Sequence, residues 1–163
     1  MSKNSDISNQ VHFKRLGREL AMQFLFQVDL NIEIEEEMIE AFWEQAEESG
    51  KFPHNRVFRK GREYAETLIH GIVEHRKTID DMILSKSEKW DLRRMAVVDR
   101  NIMRVAVYEM LFVADVPPVV SINEAVGISR LYSSDQSGPF INGLLNAVKD
   151  GLDRPAREAV DKL

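Results

Sequence analysis

The sequence predicts an all-α fold, about seven helices in one compact domain spanning residues 1–163. Three observations predict it. Apolar residues recur at spacings of three and four along most of the chain, the period of one buried helix face. Start and stop signals divide these runs into segments of ordinary helix length. No two segments are joined by a hairpin turn, and the β-branched run Val116–Val120 is short and carries prolines.

Residues 1–9 are polar and bury nothing that would offset ordering, so the chain is expected to start flexible. The first helix is expected from Ser8–Gln10 to about Asp29, with Phe13, Leu16, Leu20, Phe24 and Val28 as its apolar stripe. At about 100° of turn per residue, Lys14, Arg15 and Arg18 lie on the opposite side, and Met22 and Phe26 follow Arg18 in steps of four. This second face has two readings. It packs under a neighbouring helix in a broad core, or it binds a partner, since aromatics beside arginines mark interfaces and RNA platforms.

The second helix is expected from Glu35 to Ser49, with Met38, Phe42 and Ala46 inward and Gly50 and Pro53 ending it. The third runs from about Asn55 to Arg76 on Val57, Phe58, Gly61, Ala65, Leu68, Ile69 and Ile72, with Gly61 allowing a close helix approach. Thr78 and Asp80 offer a restart, and Ile79, Met82 and Ile83 carry a fourth helix to about Trp90. Asp91–Ala96 is a basic connection containing Arg93 and Arg94.

Asp99 stands as an N-cap acceptor before Ile102, Val105, Ala106 and Met110. That helix must stop before Val116-Pro117-Pro118, because each proline forces the preceding residue out of the α region. Ser121-Ile122-Asn123-Glu124 fits a capping box and opens the stripe Ala125, Val126, Ile128, Leu131. Ser133-Ser134-Asp135 breaks it, and Phe140, Ile141, Leu144, Leu145 and Val148 form the last stripe. Asp153-Arg154-Pro155 ends that helix and leaves 153–163 as a second flexible end.

A chain of 163 residues can bury a substantial core. It has no cysteine, which excludes disulfides, thiolate catalysis and Cys-ligated zinc. No apolar run reaches membrane-spanning length, and the polar start MSKNSDISNQ lacks a signal peptide's apolar core. A cytoplasmic protein is therefore expected. The net charge of -5 argues on its own against a nucleic-acid binder. Yet Asn31–Gly50 holds eight glutamates and no lysine or arginine, so the remainder nets +3 and local faces matter more than the total.

Catalytic chemistry finds no foothold. His12, His54, His70 and His75 include no pair at zinc-helix spacing with a following carboxylate. There is no Gly-rich phosphate loop, and Ser133, Ser134 and Ser137 have no base placed beside them. No catalytic residue, no metal and no cofactor is expected, and the chain is not expected to be an enzyme.

The pieces VDRNIMRVAVYEM, DVPPVVSINEAV and SGPFINGLLNAV, with the weaker FKRLGRELAMQFLFQ near the start, resemble the NusB family of bacterial transcription antitermination factors. The resemblance covers about Lys14 to Leu152. It implies two packed helical subdomains of about three helices each, with a break near residues 77–90. It also implies binding of boxA RNA together with ribosomal protein NusE. The complex would include NusA, NusG and RNA polymerase and suppress termination, notably in rRNA operons, by assembly without chemistry.

Residue by residue, the resemblance points to Lys14, Arg15, Arg18, Gln136, Phe140 and Asn142 for RNA, and to Phe26 and Asp99 for NusE, with Met22 on the same helix face as Phe26. The basic patch is thinner than the family's: Leu16 replaces an arginine, Gly17 an alanine, and Pro139 the lysine often found before the phenylalanine. Phe140 either stacks on a base or opens the core of the last helix. Asp99 contacts NusE, caps its helix, or does both. Two alternatives stand beside this reading. One is a helical protein-interaction module that never touches RNA. The other is a relative of the NusB-like domain of rRNA cytosine methyltransferases, although the chain ends soon after FINGLLNAV, with no room expected for a cofactor-binding α/β domain.

Overall fold

The computed structural model describes residues 2–87 and 91–163, with side chains from Phe13 onward. Seven helices lie among the described residues: α1 (Ser2–Gln27), α2 (Glu36–Glu48), α3 (Arg56–Glu74), α4 (Arg76–Lys86), α5 (Val97–Phe112), α6 (Pro118–Tyr132) and α7 (Ser137–Asp150). A single 3-10 turn, Leu92–Arg94, precedes α5, and no strand occurs among the described residues. The all-α expectation is met. The chain divides into two compact units, residues 1–70 and 71–163. The division falls within α3, earlier than the expected break at 77–90.

In the first unit, α1 extends back to Ser2, through the segment expected to be flexible. From Gly17 to Leu25 it is buried on nearly every side, with only Glu19 and Gln23 partly exposed. A helix enclosed this way has no single apolar stripe. Met22, which lies off the apolar stripe, is 2% exposed and so takes the broad-core reading of the second face. One expectation is corrected here. Arg18, read as a solvent-facing cation, is 3% exposed.

The expected close approach at Gly61 is present. A Cβ on Gly61 would stand 2.9 Å from Leu16 Cδ2, and one on Gly17 would stand 2.8 Å from Tyr64 Cδ1. α1 and α3 therefore cross at this glycine pair. α2 turns Ile39, Phe42 and Trp43 inward, leaving Met38 and Ala46 half-buried, so its buried face is rotated from the expected one. Phe42 meets both Phe24 and Trp43 edge to face, with ring centroids 5.5 and 5.0 Å apart. Gly50 takes φ 65° just past α2, the left-handed conformation that a glycine supplies without strain. Asn55 caps α3 by accepting from the backbone N–H of Phe58 at 2.9 Å.

In the second unit, α4 runs from Arg76 to Lys86; the expected extension toward Trp90 falls on residues 88–90, outside those described. α5 is buried without interruption from Asp99 to Val107. Such a helix must satisfy its polar side chains internally. Arg104 forks onto Asp80, its Nε and one terminal nitrogen donating at 2.8 and 3.1 Å, and its other terminal nitrogen donates to Asn101 Oδ1 at 2.9 Å.

Two expected caps are corrected. α5 begins at Val97 after Ala96, so Asp99 is the third helical residue and not the N-cap. α6 begins with Pro118, whose fixed φ suits the first helical position. Ser121 therefore lies inside α6; its buried hydroxyl has no partner among the described residues and builds no capping box.

The end of the chain also departs from expectation. Residues 153–163 are neither helical nor loose. The Arg154 guanidinium donates to the carbonyls of Met110, Val113, Ala114 and Val116 at 3.0–3.3 Å. Val160 N–H donates to Ala114 O at 2.8 Å, and Val119 N–H to Ala156 O at 3.0 Å. The tail is thereby fastened along the α5–α6 connection, whose carbonyls α5 leaves unpaired at its C-terminus.

Candidate functional site

A hollow of about 330 Å³ opens in the second unit between the 3-10 turn and the start of α7. It is lined by Arg94, Met95, Ala96, Asp99, Ser134, Gln136, Ser137 and Phe140. Gln136 and Phe140, singled out from the sequence, thus share one cavity. Phe140 is half-buried, so its ring forms part of the wall and is not sealed in the core. Arg94 and Gln136 are exposed.

Both walls hang from the first turn of α5. On one side Asp99, buried, accepts hydrogen bonds from Ser133 Oγ at 2.6 Å and Ser137 Oγ at 2.8 Å, one on each carboxylate oxygen. The two serines also touch each other at 2.8 Å. This fixes the α6–α7 connection that carries Gln136. On the other side Arg100, also buried, donates to the carbonyls of Leu92 at 3.1 Å and Met95 at 3.4 Å. Asp91 Oδ1 accepts from Arg93 N–H at 2.7 Å and closes the turn. Adjacent residues of opposite charge thus hold the two rims. The hollow offers an aromatic face, one exposed guanidinium, an amide and hydroxyls. That set suits an aromatic, anionic ligand. Ser133 and Ser137, which the sequence placed beside no base, do meet a carboxylate, Asp99, through buried structural hydrogen bonds.

The remaining expected residues lie elsewhere. Asn142 lines a larger groove of about 840 Å³ with Asn123, Arg130, Asp135 and Pro139. Residues two positions apart on a helix are rotated by about 200°, so Asn142 and Phe140 face different sides of α7. In the first unit, Lys14 and Arg15 are half-exposed on α1. Lys14 Nζ sits 5.7 Å from the Tyr64 ring centre, and the buried Arg18 guanidinium 5.8 Å from the same ring. Phe26 is 48% exposed near the end of α1, ahead of the fully exposed Leu30 and Ile32.

The sequence model of the NusB family matches residues 15–150. The chain belongs to the NusB family. A transcription antitermination protein NusB of Anaeromyxobacter sp. (strain Fw109-5) is 43% identical over 146 residues, covering 90% of this chain and 95% of that protein. The structure of T. maritima NusB superposes with a TM-score of 0.70 at 32% identity, covering 88% of this chain and 92% of that one. NusB from a complex of antitermination factors NusB and NusE with dsRNA superposes at 0.69 and 26% identity, covering 86% and 98%.

Set against the NusB resemblance, sequence reasoning missed Arg94 as a member of the hollow and the serines as ligands of Asp99. Arg94 was visible as a charge in a connection, but nothing in the one-dimensional pattern placed that connection beside Phe140. The cation–aromatic pairs, Lys14 of α1 with Tyr64 of α3 and Lys60 of α3 with the Phe13 ring of α1 at 5.6 Å, were likewise invisible because they join different helices. Among the described residues no helix is long and apolar enough to cross a membrane, and no cluster of three potential ligands could hold a metal.

Proposed function

We propose that this NusB-family chain is a cytoplasmic antitermination factor that binds boxA RNA together with ribosomal protein NusE. In a complex with NusA, NusG and RNA polymerase it would suppress termination in rRNA operons. It acts by assembly and breaks no bond. The observation that carries the reading is the shared hollow. Phe140 offers a stacking face and Gln136 an amide for a base edge, which is how single-stranded RNA is recognised. Lys14 and Arg15 supply phosphate contacts on the first unit, and Asn142 a polar contact on the other side of α7. Arg18 contributes through Tyr64 and not through a phosphate, because it is buried.

For NusE, the half-exposed Phe26 ring is the proposed anchor. Met22 supports it from the core. Asp99 stays in the proposal as a positioning residue, since both its oxygens already accept hydroxyls within the chain. The test is a titration of labelled boxA RNA with and without NusE. Binding of both, each strengthening the other, is expected; failure to bind either overturns the reading.

A further inference from the structure

Arg94 is the cation of the hollow. Its side chain is exposed, and among the described residues it takes part in no ion pair. Its backbone is fixed from three directions: its N–H donates to Asp91 O at 3.0 Å, the next residue Met95 is buried, and Arg100 holds the carbonyls on both sides of the turn. The acid in the same hollow, Asp99, accepts one serine hydroxyl on each carboxylate oxygen and makes no ion pair with Arg94. Pro139, one residue before Phe140 on the facing helix, offers neither a cation nor an N–H.

We propose that Arg94 binds the phosphate of the nucleotide whose base stacks on Phe140, so that the hollow is a one-nucleotide site for single-stranded RNA. This rests on the RNA-binding reading above and names the residue that reading lacks. Arginine presents a planar fork matched to phosphate oxygens. A pre-fixed turn lowers the ordering cost of the contact. About 330 Å³ is at the small end of ligand pockets, enough for a single nucleotide. Arg93 lies on the same turn and is also exposed but does not line the hollow, which makes it the internal control.

The experiment is a titration of labelled single-stranded boxA RNA against the full chain and its Arg94→Gln, Arg94→Lys and Arg93→Gln variants across a salt series. Arg94→Gln is expected to weaken binding by roughly three- to thirtyfold and to reduce the log–log salt slope by about 0.7. Arg94→Lys should keep the slope and recover part of the affinity. Arg93→Gln should stay within about twofold of the parent. Combining Arg94→Gln with Phe140→Leu should cost less than the product of the single losses, because both act on one nucleotide. An Arg94→Gln variant that binds like the parent, or an equal loss in Arg93→Gln, overturns the assignment of Arg94 and leaves the RNA reading standing. A parent chain that does not bind the RNA removes that reading and this proposal with it.

Discussion

Ser137 donates its hydroxyl to Asp99 at 2.8 Å across 38 residues of sequence, joining the start of α7 to the first turn of α5. The bond is buried, and Ser133 donates to the other oxygen at 2.6 Å. The expected local cap is thus a long-range tie. Asp99→Ala is predicted to leave two hydroxyls without their acceptor and to cost about 1–3 kcal/mol. Urea unfolding measures the loss. RNA affinity should fall as well, because the connection carrying Gln136 loses its anchor. Unchanged stability would show that the serines find other partners and that the tie is dispensable.

Arg154 fastens the end of the chain to four carbonyls, and burial lowers its pKa from the usual arginine value. No lysine can serve that fork. Arg154→Lys is predicted to destabilise the second unit by about 1–2 kcal/mol. Hydrogen exchange should show faster exchange at Val119 and Val160, whose amides tie the tail to the first turn of α6 and to the α5–α6 connection. Protection unchanged at both amides would mean that the tail is held without its arginine.

His70 supplies a pH-dependent contact. Its pKa is raised, first by the hydrogen bond to Glu66 O at 2.7 Å and then by the Glu36 carboxylate at 3.1 Å, against a lowering by partial burial. A raised folded pKa means that the imidazolium stabilises the fold fully below the unfolded value of about 6.5 and loses that contribution as pH climbs through the folded value. The side chain is half exposed, so the effect is expected to stay under about 1 kcal/mol. NMR titration of the imidazole should give a pKa above the free value, and Glu36→Gln should bring it part of the way down. No change on Glu36→Gln would remove that carboxylate from the account.

The helices were legible because their stripes are dense. Leu68, Ile69 and Ile72 on α3, and Leu144, Leu145 and Val148 on α7, are buried as their spacing predicts. What failed was the assignment of individual polar residues. Asp99 and Ser121 each look like a cap to a local reading, but Ala96 and Pro118 start their helices earlier, and only the fold reveals that Asp99 faces α7. Arg18 fell on the polar side of a helical wheel, yet the α1–α3 crossing at Gly17 and Gly61 brings Tyr64 over it. Burial of a cation by a distant aromatic leaves no mark in local spacing. The hollow itself was half legible: Gln136 and Phe140 came from the resemblance, whereas Arg94 depends on how a turn nearly fifty residues away folds back.

Met22 and Phe26 were one face in the sequence and are two environments in the structure, 2% and 48% exposed. Their substitutions should therefore part company. Met22→Ala is predicted to cost about 2–5 kcal/mol of stability, as deletion of a buried side chain does. Phe26→Ala should cost far less, since half of its ring is already in water. If Phe26 is the NusE anchor, its loss should weaken NusE binding by about 2 kcal/mol or more while leaving RNA affinity nearly unchanged, for the ring makes no phosphate contact. Thermal melts of both variants, followed by NusE and RNA titrations of Phe26→Ala alone, separate the effects. Equal losses for NusE and RNA, or none for NusE in a folded Phe26→Ala protein, would sink the proposed anchor. A Met22→Ala protein as stable as the parent would contradict the burial that distinguishes the two residues.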